Sequence, residues 1–126
     1  MAGEQILVVE DNQKNMKLVR DVLQASGYRT LEATTGSEGV KLALANRPDL
    51  VLMDIQLPDI NGVEALRRMR GDERTASVPV LALTAQAMQG DRERFLAAGF
   101  DGYLSKPVDI IDLVATVKRH CEGLAR

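Results

Sequence analysis

One stretch constrains the fold more than any other: Asp49-Leu50-Val51-Leu52-Met53-Asp54-Ile55-Gln56-Leu57-Pro58. An apolar run of strand length, bracketed by Pro48 and Pro58, reads as a strand buried on both faces, as in a parallel sheet. The run ends on Asp54, which places a carboxylate at the C-terminal mouth of a central strand. Open α/β sheets bind their ligands at that mouth.

The rest of the chain supplies the companions this strand needs. Ile6-Leu7-Val8-Val9 is a first strand, β1, ending on Glu10-Asp11-Asn12. Met16, Val19, Val22 and Leu23 recur at helical spacing and predict helix α1, with Gly27 as its stop. Tyr28 to Ala33 is a shorter, more polar strand, β2, suited to a position nearer an edge. Thr35-Gly36-Ser37-Glu38 has the form of a capping box and opens helix α2, with Val40, Ala43 and Leu44 inward and Pro48 closing it. The opening stretch is β3. Asn61-Gly62-Val63-Glu64 begins helix α3, with a buried stripe of Val63, Leu66 and Met69. Residues 78–83 form β4, which tolerates Pro79 at its start and ends on Thr84. Helix α4 is expected from about Gln86 to Ala98. Gly90 in its interior costs up to about 1 kcal/mol relative to alanine, which makes α4 the weakest helix. Gly102-Tyr103-Leu104-Ser105 is β5, and Asp109 caps α5, with Ile110, Leu113, Val114 and Val117 inward.

Strands and helices alternate five times, which predicts an α/β fold: a five-stranded parallel sheet with helices on both faces. A flavodoxin-like order, 2-1-3-4-5, with its switch point between β1 and β3, fits best. The 126 residues suit one domain, 1–126, with no output domain following α5. A net charge of −2 gives no support to nucleic-acid binding. Cys121 is the only cysteine, so neither an intrachain disulfide nor a cysteine zinc site is available. The polar Met1 to Gln5 lacks a signal-peptide core, and no apolar run approaches the roughly 20 residues of a membrane span. A cytoplasmic protein is the expectation.

In a parallel sheet the strand ends all point one way. Glu10 and Asp11 follow β1, Asp54 follows β3, Thr84 follows β4 and Lys106 follows β5. Each alone has an ordinary explanation as a turn residue, a helix cap or a surface lysine. Delivered together from four strands, they form a set. Three crowded carboxylates repel, so either a pKa rises or a cation enters. An all-oxygen site of this kind suits Mg²⁺ (or Mn²⁺). Held between Asp11 and Asp54, such a cation leaves an Asp54 oxygen free to attack phosphorus and form an acyl phosphate. Lys106 and the cation can neutralise phosphoryl oxygens, and Thr84 can donate to one. No further side chain offers itself as a base for fast turnover.

The segments Val8-Val9-Glu10-Asp11-Asn12, Leu52 to Gly62, Leu83-Thr84-Ala85 and Tyr103-Leu104-Ser105-Lys106-Pro107 resemble the receiver domain of bacterial two-component response regulators. The resemblance spans nearly the whole chain and implies a CheY-like fold. It makes Asp54 the phosphoacceptor and Glu10 and Asp11 the acidic pair, with Asp11 the direct Mg²⁺ ligand and Glu10 reaching through water. Gln56 would lend its backbone carbonyl, Thr84 and Lys106 would contact the phosphoryl group, Tyr103 would be a switch residue and Lys106–Pro107 would be cis. Gln56 and Gln86 would flank the path of attacking water. The resemblance further implies a switch rather than an enzyme, one that assists its own phosphorylation and slow dephosphorylation. Its donors would be a sensor histidine kinase or a histidine phosphotransfer protein. Its downstream protein target would bind the α4-β5-α5 face, and the domain would be a monomer or weak homodimer with neither nucleic acid nor membrane as partner. The Glu10-Asp11-Asn12 start with Asn15-Met16-Lys17-Leu18 looks like the single-domain DivK type of cell-cycle receiver, a start that receivers of hybrid histidine kinases share.

Two rival classes fit less well. A haloacid-dehalogenase-type phosphatase places a second aspartate two residues after the nucleophile, where Gln56 stands. A flavodoxin-like nucleotide or FMN carrier needs a glycine-rich or hydroxyl-rich loop after β1, where Glu10-Asp11-Asn12-Gln13-Lys14 is acidic. Elsewhere the ordinary readings are preferred: His120 as a solvated histidine near the end of α5, Cys121 as inert, Arg67, Arg68 and Arg70 as a solvated face, and Phe95 and Phe100 as packing.

Overall fold

The structure is a computed structural model that describes residues 3–85 and 91–124. Five strands, β1 (Gln5–Val9), β2 (Arg29–Ala33), β3 (Leu50–Asp54), β4 (Val80–Thr84) and β5 (Gly102–Ser105), form one sheet in the order β2-β1-β3-β4-β5. All pairings are parallel. The helices are α1 (Gln13–Ala25), α2 (Gly36–Asn46), α3 (Gly62–Arg70), α4 (Asp91–Ala98) and α5 (Ile110–Leu124). Sequence-expected α4 residues 86–90, with Gln86, Met88 and Gly90, lie outside the described residues.

Strand alternation splits the core in two. Ile6, Val8, Leu50, Leu52, Leu81, Leu83 and Leu104 pack under Met16, Val19 and Leu23 of α1 and Leu113, Val117 and Cys121 of α5. Leu7, Val9, Val51, Met53, Val80 and Ala82 pack under α2, α3 and α4 on the other face, through residues such as Val40, Leu66, Met69 and Phe95. Every residue of β3 is buried, as expected for a strand covered on both faces. Edge strand β2 is the most exposed of the long strands.

Local chemistry explains most helix ends. Asn12, Thr35, Asn61 and Asp109 accept backbone N–H bonds at the starts of α1, α2, α3 and α5. Gly27, at φ 95°, follows α1 as the left-handed stop. Glu38 departs from the expected capping box: its Oε1 accepts from Thr34 N–H at 2.9 Å, one residue before the cap. Strand β4 begins at Val80 rather than Val78, because Pro79 has no N–H and Val78 points its carbonyl elsewhere.

Arg70 receives that carbonyl, which corrects its reading as part of a solvated face. Arg67 and Arg68 are exposed, but Arg70 Nη1 donates to Val78 O at 2.6 Å and to Ala76 O at 3.2 Å. Its Nη2 donates to Gly99 O at 3.1 Å and Asp101 Oδ2 at 2.9 Å. One guanidinium therefore ties α3 to the following loop and to the turn before β5. Arg70→Ala should lower stability by about 1–3 kcal/mol, seen as a shifted urea midpoint at unchanged slope. Arg70→Lys should not restore it, since an ammonium lacks the planar fork.

Two expectations on α5 are also corrected. Ile110 is 50% exposed and Ile111 80%, and the buried stripe starts at Leu113. His120 is half-buried, with Nδ1 2.9 Å from Thr116 O and its ring against Gly102 of β5. Cys121 is buried, and burial pushes its thiol up to about 11. Its alkylation at neutral pH should therefore proceed only through unfolding, and urea should accelerate it in proportion to the unfolded fraction.

Candidate functional site

The ends of β1, β3, β4 and β5 bring the predicted residues to one mouth. Glu10 is 1% exposed, Asp54 4% and Thr84 5%, an unusual burial for two carboxylates. Asp11, one residue past Glu10, stands in solvent at the rim. Oxygens from Glu10, Asp11 and Asp54 lie within 4.8 Å of one another. Asn12, Asn15, Gln56, Leu57, Pro58 and Lys106 complete the walls of this cleft.

Asp54 is hydrogen-bonded at both oxygens and Glu10 at one. Asp54 Oδ1 accepts from Gln56 N–H at 3.0 Å, and Oδ2 accepts from Lys106 Nζ at 2.7 Å. Glu10 Oε2 accepts from Asn12 N–H at 3.2 Å. Lys106 Nζ stands 2.8 Å from Glu10 Oε1 without the alignment of a hydrogen bond, so that oxygen is buried, ion-paired and short of a donor. The Lys106–Pro107 peptide is cis, and Lys106 N–H donates to Thr84 O at 2.7 Å.

Crowded acids demand a raised pKa or a cation, and the site has both. Burial, then the neighbouring Asp54 carboxylate, pushes Glu10 up to about 6 against the pull of Lys106 and Asn12 N–H. Burial pulls Lys106 down, but its hydrogen bond to Asp54 and its ion pair with Glu10 outweigh this and hold it above its ordinary value. Lys106 is thus a fixed ammonium inside the acidic cluster.

The sequence matches the family described as response regulator receiver domain over residues 6–118. The chain belongs to the response regulator receiver domain family. This receiver is 44% identical over 115 residues to the polar-differentiation response regulator DivK of Brucella anthropi, covering 91% of this chain and 94% of that one. DivK of Brucella melitensis matches with the same identity and coverage. Among solved structures, the receiver domain of a sensor histidine kinase of Pseudomonas aeruginosa PAO1, with a magnesium ion coordinated in its active site cleft, superposes with a TM-score of 0.88 at 40% identity. The match covers 96% of this chain and 99% of that one. A chemotaxis response regulator of Vibrio cholerae superposes with a TM-score of 0.88 at 27% identity, over 94% and 99% of the two chains.

The receiver's second set of groups lies across the cleft. Asp54, Gln56, Thr84, Ala85, Arg94, Phe95 and Lys106 line a cavity of about 50 Å³. Alternation puts Thr84 on the same sheet face as Val80 and Ala82, and Tyr103 packs into that cluster too, opposite Ala82 in register. Tyr103 is half-buried against Phe95, ring centroids 6.1 Å apart, and Phe95 meets Phe100 edge-on at 6.0 Å. Sequence reasoning missed Arg94. Its guanidinium lies over the Phe95 ring, 5.1 Å from the centroid, and its side chain walls the cavity from α4. A search confined to strand ends does not reach a helix side chain. Among the described residues no helix is long and apolar enough to cross a membrane.

Proposed function

We propose that this receiver takes a phosphoryl group onto Asp54 in a Mg²⁺-dependent reaction and signals the change through the α4-β5-α5 face. The observation that carries this reading is the buried Asp54 carboxylate, bonded to Lys106 at 2.7 Å within a cluster of three acids. The residues suit a hard divalent cation. Three carboxylate oxygens lie within 4.8 Å, and Glu10 Oε1, paired with Lys106 at 2.8 Å, makes no aligned hydrogen bond. Asp11, Asp54 and the Gln56 carbonyl would hold Mg²⁺ directly and Glu10 through water, and Mn²⁺ would suit the same oxygens. When bound, the ion supplies neutralisation of phosphoryl charge.

The protein's own groups do the rest. An Asp54 oxygen attacks the phosphorus of a donor phosphohistidine, the P–N bond breaks and the imidazole leaves with its electron pair. Lys106 neutralises a phosphoryl oxygen and Thr84 donates a hydrogen bond to another. The donor is a sensor histidine kinase or a histidine phosphotransfer protein. The domain turns over no external substrate; it assists its own phosphorylation and slow dephosphorylation. Because Thr84 and Tyr103 share a sheet face, movement of Thr84 toward the phosphoryl group vacates space that the Tyr103 ring fills. That shift reaches α4 and α5 and a protein partner on their surface. Residues 1–126 act as one receiver, in the cytoplasm, as a monomer or weak homodimer. The 44% identity to DivK proteins supports a stand-alone cell-cycle role.

Amide spectra of the ¹⁵N-labelled protein test the signalling step. Beryllofluoride with Mg²⁺ should shift β5 and α5 resonances as well as those of the cleft. Shifts confined to the cleft contradict it.

The pKa of Glu10 gives a further expected result. Mg²⁺ competes with the proton held near pH 6, so apparent affinity should rise between pH 5 and 7 and then level, with proton release on binding. By the same linkage, the metal-free fold has Glu10's contribution in full below about pH 4.5 and loses it as pH rises through about 6. Calorimetric Mg²⁺ titrations at several pH values check the first statement; a flat profile contradicts it.

A further inference from the structure

The cleft has two unlike walls. Glu10 and Asp11 leave a core strand directly, whereas Gln56, Leu57 and Pro58 belong to a loop running from Asp54 to Asn61. A loop holds a metal-facing carbonyl steady only if something outside the cleft fixes it. At its strand end the loop is fixed by Gln56 N–H to Asp54 Oδ1 at 3.0 Å and by Gly62 N–H to Ile55 O at 2.9 Å.

Its far end is fixed by Asp59. Asp59 Oδ1 accepts from Gly36 N–H at 2.8 Å and Oδ2 from Ser37 N–H at 2.9 Å, so both oxygens cap the first turn of α2. The next residue, Ile60, fills the space beside Gly36: a Cβ there would lie 2.5 Å from Ile60 Cγ1 and 2.9 Å from Ile60 O. Hydrogen bonds from the Ser37 hydroxyl and from the N–H groups of Ser37, Ile60 and Gly36, opposed by some desolvation, hold the Asp59 carboxyl well below the usual range. The clamp is therefore charged at any pH at which the receiver works. Helix α2 in turn packs on β1 through Gly39 against Val9, next to Glu10. The two cleft walls are thus referred to the same strand.

We propose that Asp59 is a positioning residue for the divalent cation: by clamping the β3–α3 loop to α2 it sets the distance between the Gln56 carbonyl and the acidic pair. The inference rests on the metal reading above and deepens it. It makes a prediction that a stabilising contact alone does not. Mg²⁺ demands near-ideal octahedral geometry at short distances, while Ca²⁺ accepts longer, irregular coordination. Loosening one wall should cost Mg²⁺ far more than Ca²⁺.

The test is calorimetric titration of wild type, Asp59→Ala and Asp59→Asn with Mg²⁺ and with Ca²⁺, each variant first shown to be folded by its amide spectrum. Asp59→Ala should weaken Mg²⁺ about tenfold or more, the scale of outer-residue effects on metals, and Ca²⁺ less than about twofold. Asp59→Asn keeps one acceptor oxygen and should fall between, and it carries the test if the alanine variant does not fold. Unchanged Mg²⁺ affinity, or equal losses for both ions with a lowered melting temperature, overturns the positioning role while leaving the metal site in place. A wild type that takes no Mg²⁺ overturns the metal reading, and this inference with it.

Discussion

Gly62→Ala is expected to cost about 3 kcal/mol and to distort the site in the same step. A Cβ at Gly62 would press on the Asp54 carbonyl oxygen and lie 3.0 Å from Ile55 Cα and 3.1 Å from the Asp54 carbonyl carbon. All three atoms are backbone, so no rotamer change relieves the overlap, and α3 must back away from β3. The bond from Gly62 N–H to Ile55 O at 2.9 Å is lost or stretched, and the peptide that follows Asp54 moves with it. Gly71→Ala is the matched control. Its Cβ would find Arg67 O at 3.5 Å, an ordinary contact, so its effect should stay within about 0.5 kcal/mol. Urea unfolding of the two variants decides the matter; equal stabilities would show that α3 does not press on the strand that carries Asp54.

Lys106→Met should separate stability from chemistry. It leaves Glu10 and Asp54 buried without their ammonium, which stood 2.8 and 2.7 Å away. Breaking a fully buried pair costs about 3–5 kcal/mol. Here the expected cost is about 2 kcal/mol, because the lysine side chain is 16% exposed and Glu10 can take up a proton. Either acidification toward pH 5 or added Mg²⁺ should remove most of that loss, unlike the loss in Gly62→Ala. Phosphoryl acceptance from a small-molecule donor should fall about 10²- to 10³-fold even with Mg²⁺, since a charge aimed at the transferring group is gone. A stability loss that ignores pH and Mg²⁺ would show that Lys106 is not the counter-ion of the cluster.

The sheet and its acidic mouth were legible because their signals repeat. Four apolar runs end on Glu10, Asp54, Thr84 and Lys106, and parallel pairing puts all four ends together regardless of detail. What stayed hidden depended on single tertiary contacts. Arg70 looked like Arg67 and Arg68 because no periodicity reveals that the carbonyls of Val78 and Gly99 lack strand partners and wait beside it. Ile110 was placed inward because an apolar residue at helical spacing carries no mark of where along the helix burial begins. His120 was read as solvated because the packing of α5 on Gly102 of β5 is a long-range fact. Asp59 lay within the loop that suggested the family, yet its partner, the first turn of α2, is more than twenty residues away in sequence.

Phosphoryl acceptance by Asp54 is tested most directly by intact-mass measurement. Wild type and Asp54→Asn would each be incubated with acetyl phosphate, once with Mg²⁺ and once with EDTA. One added phosphoryl group is expected on the wild type with Mg²⁺, and none in the other three samples. Addition to Asp54→Asn, or addition that survives EDTA, would contradict the account. So would a wild type that gains no mass and also fails to bind beryllofluoride.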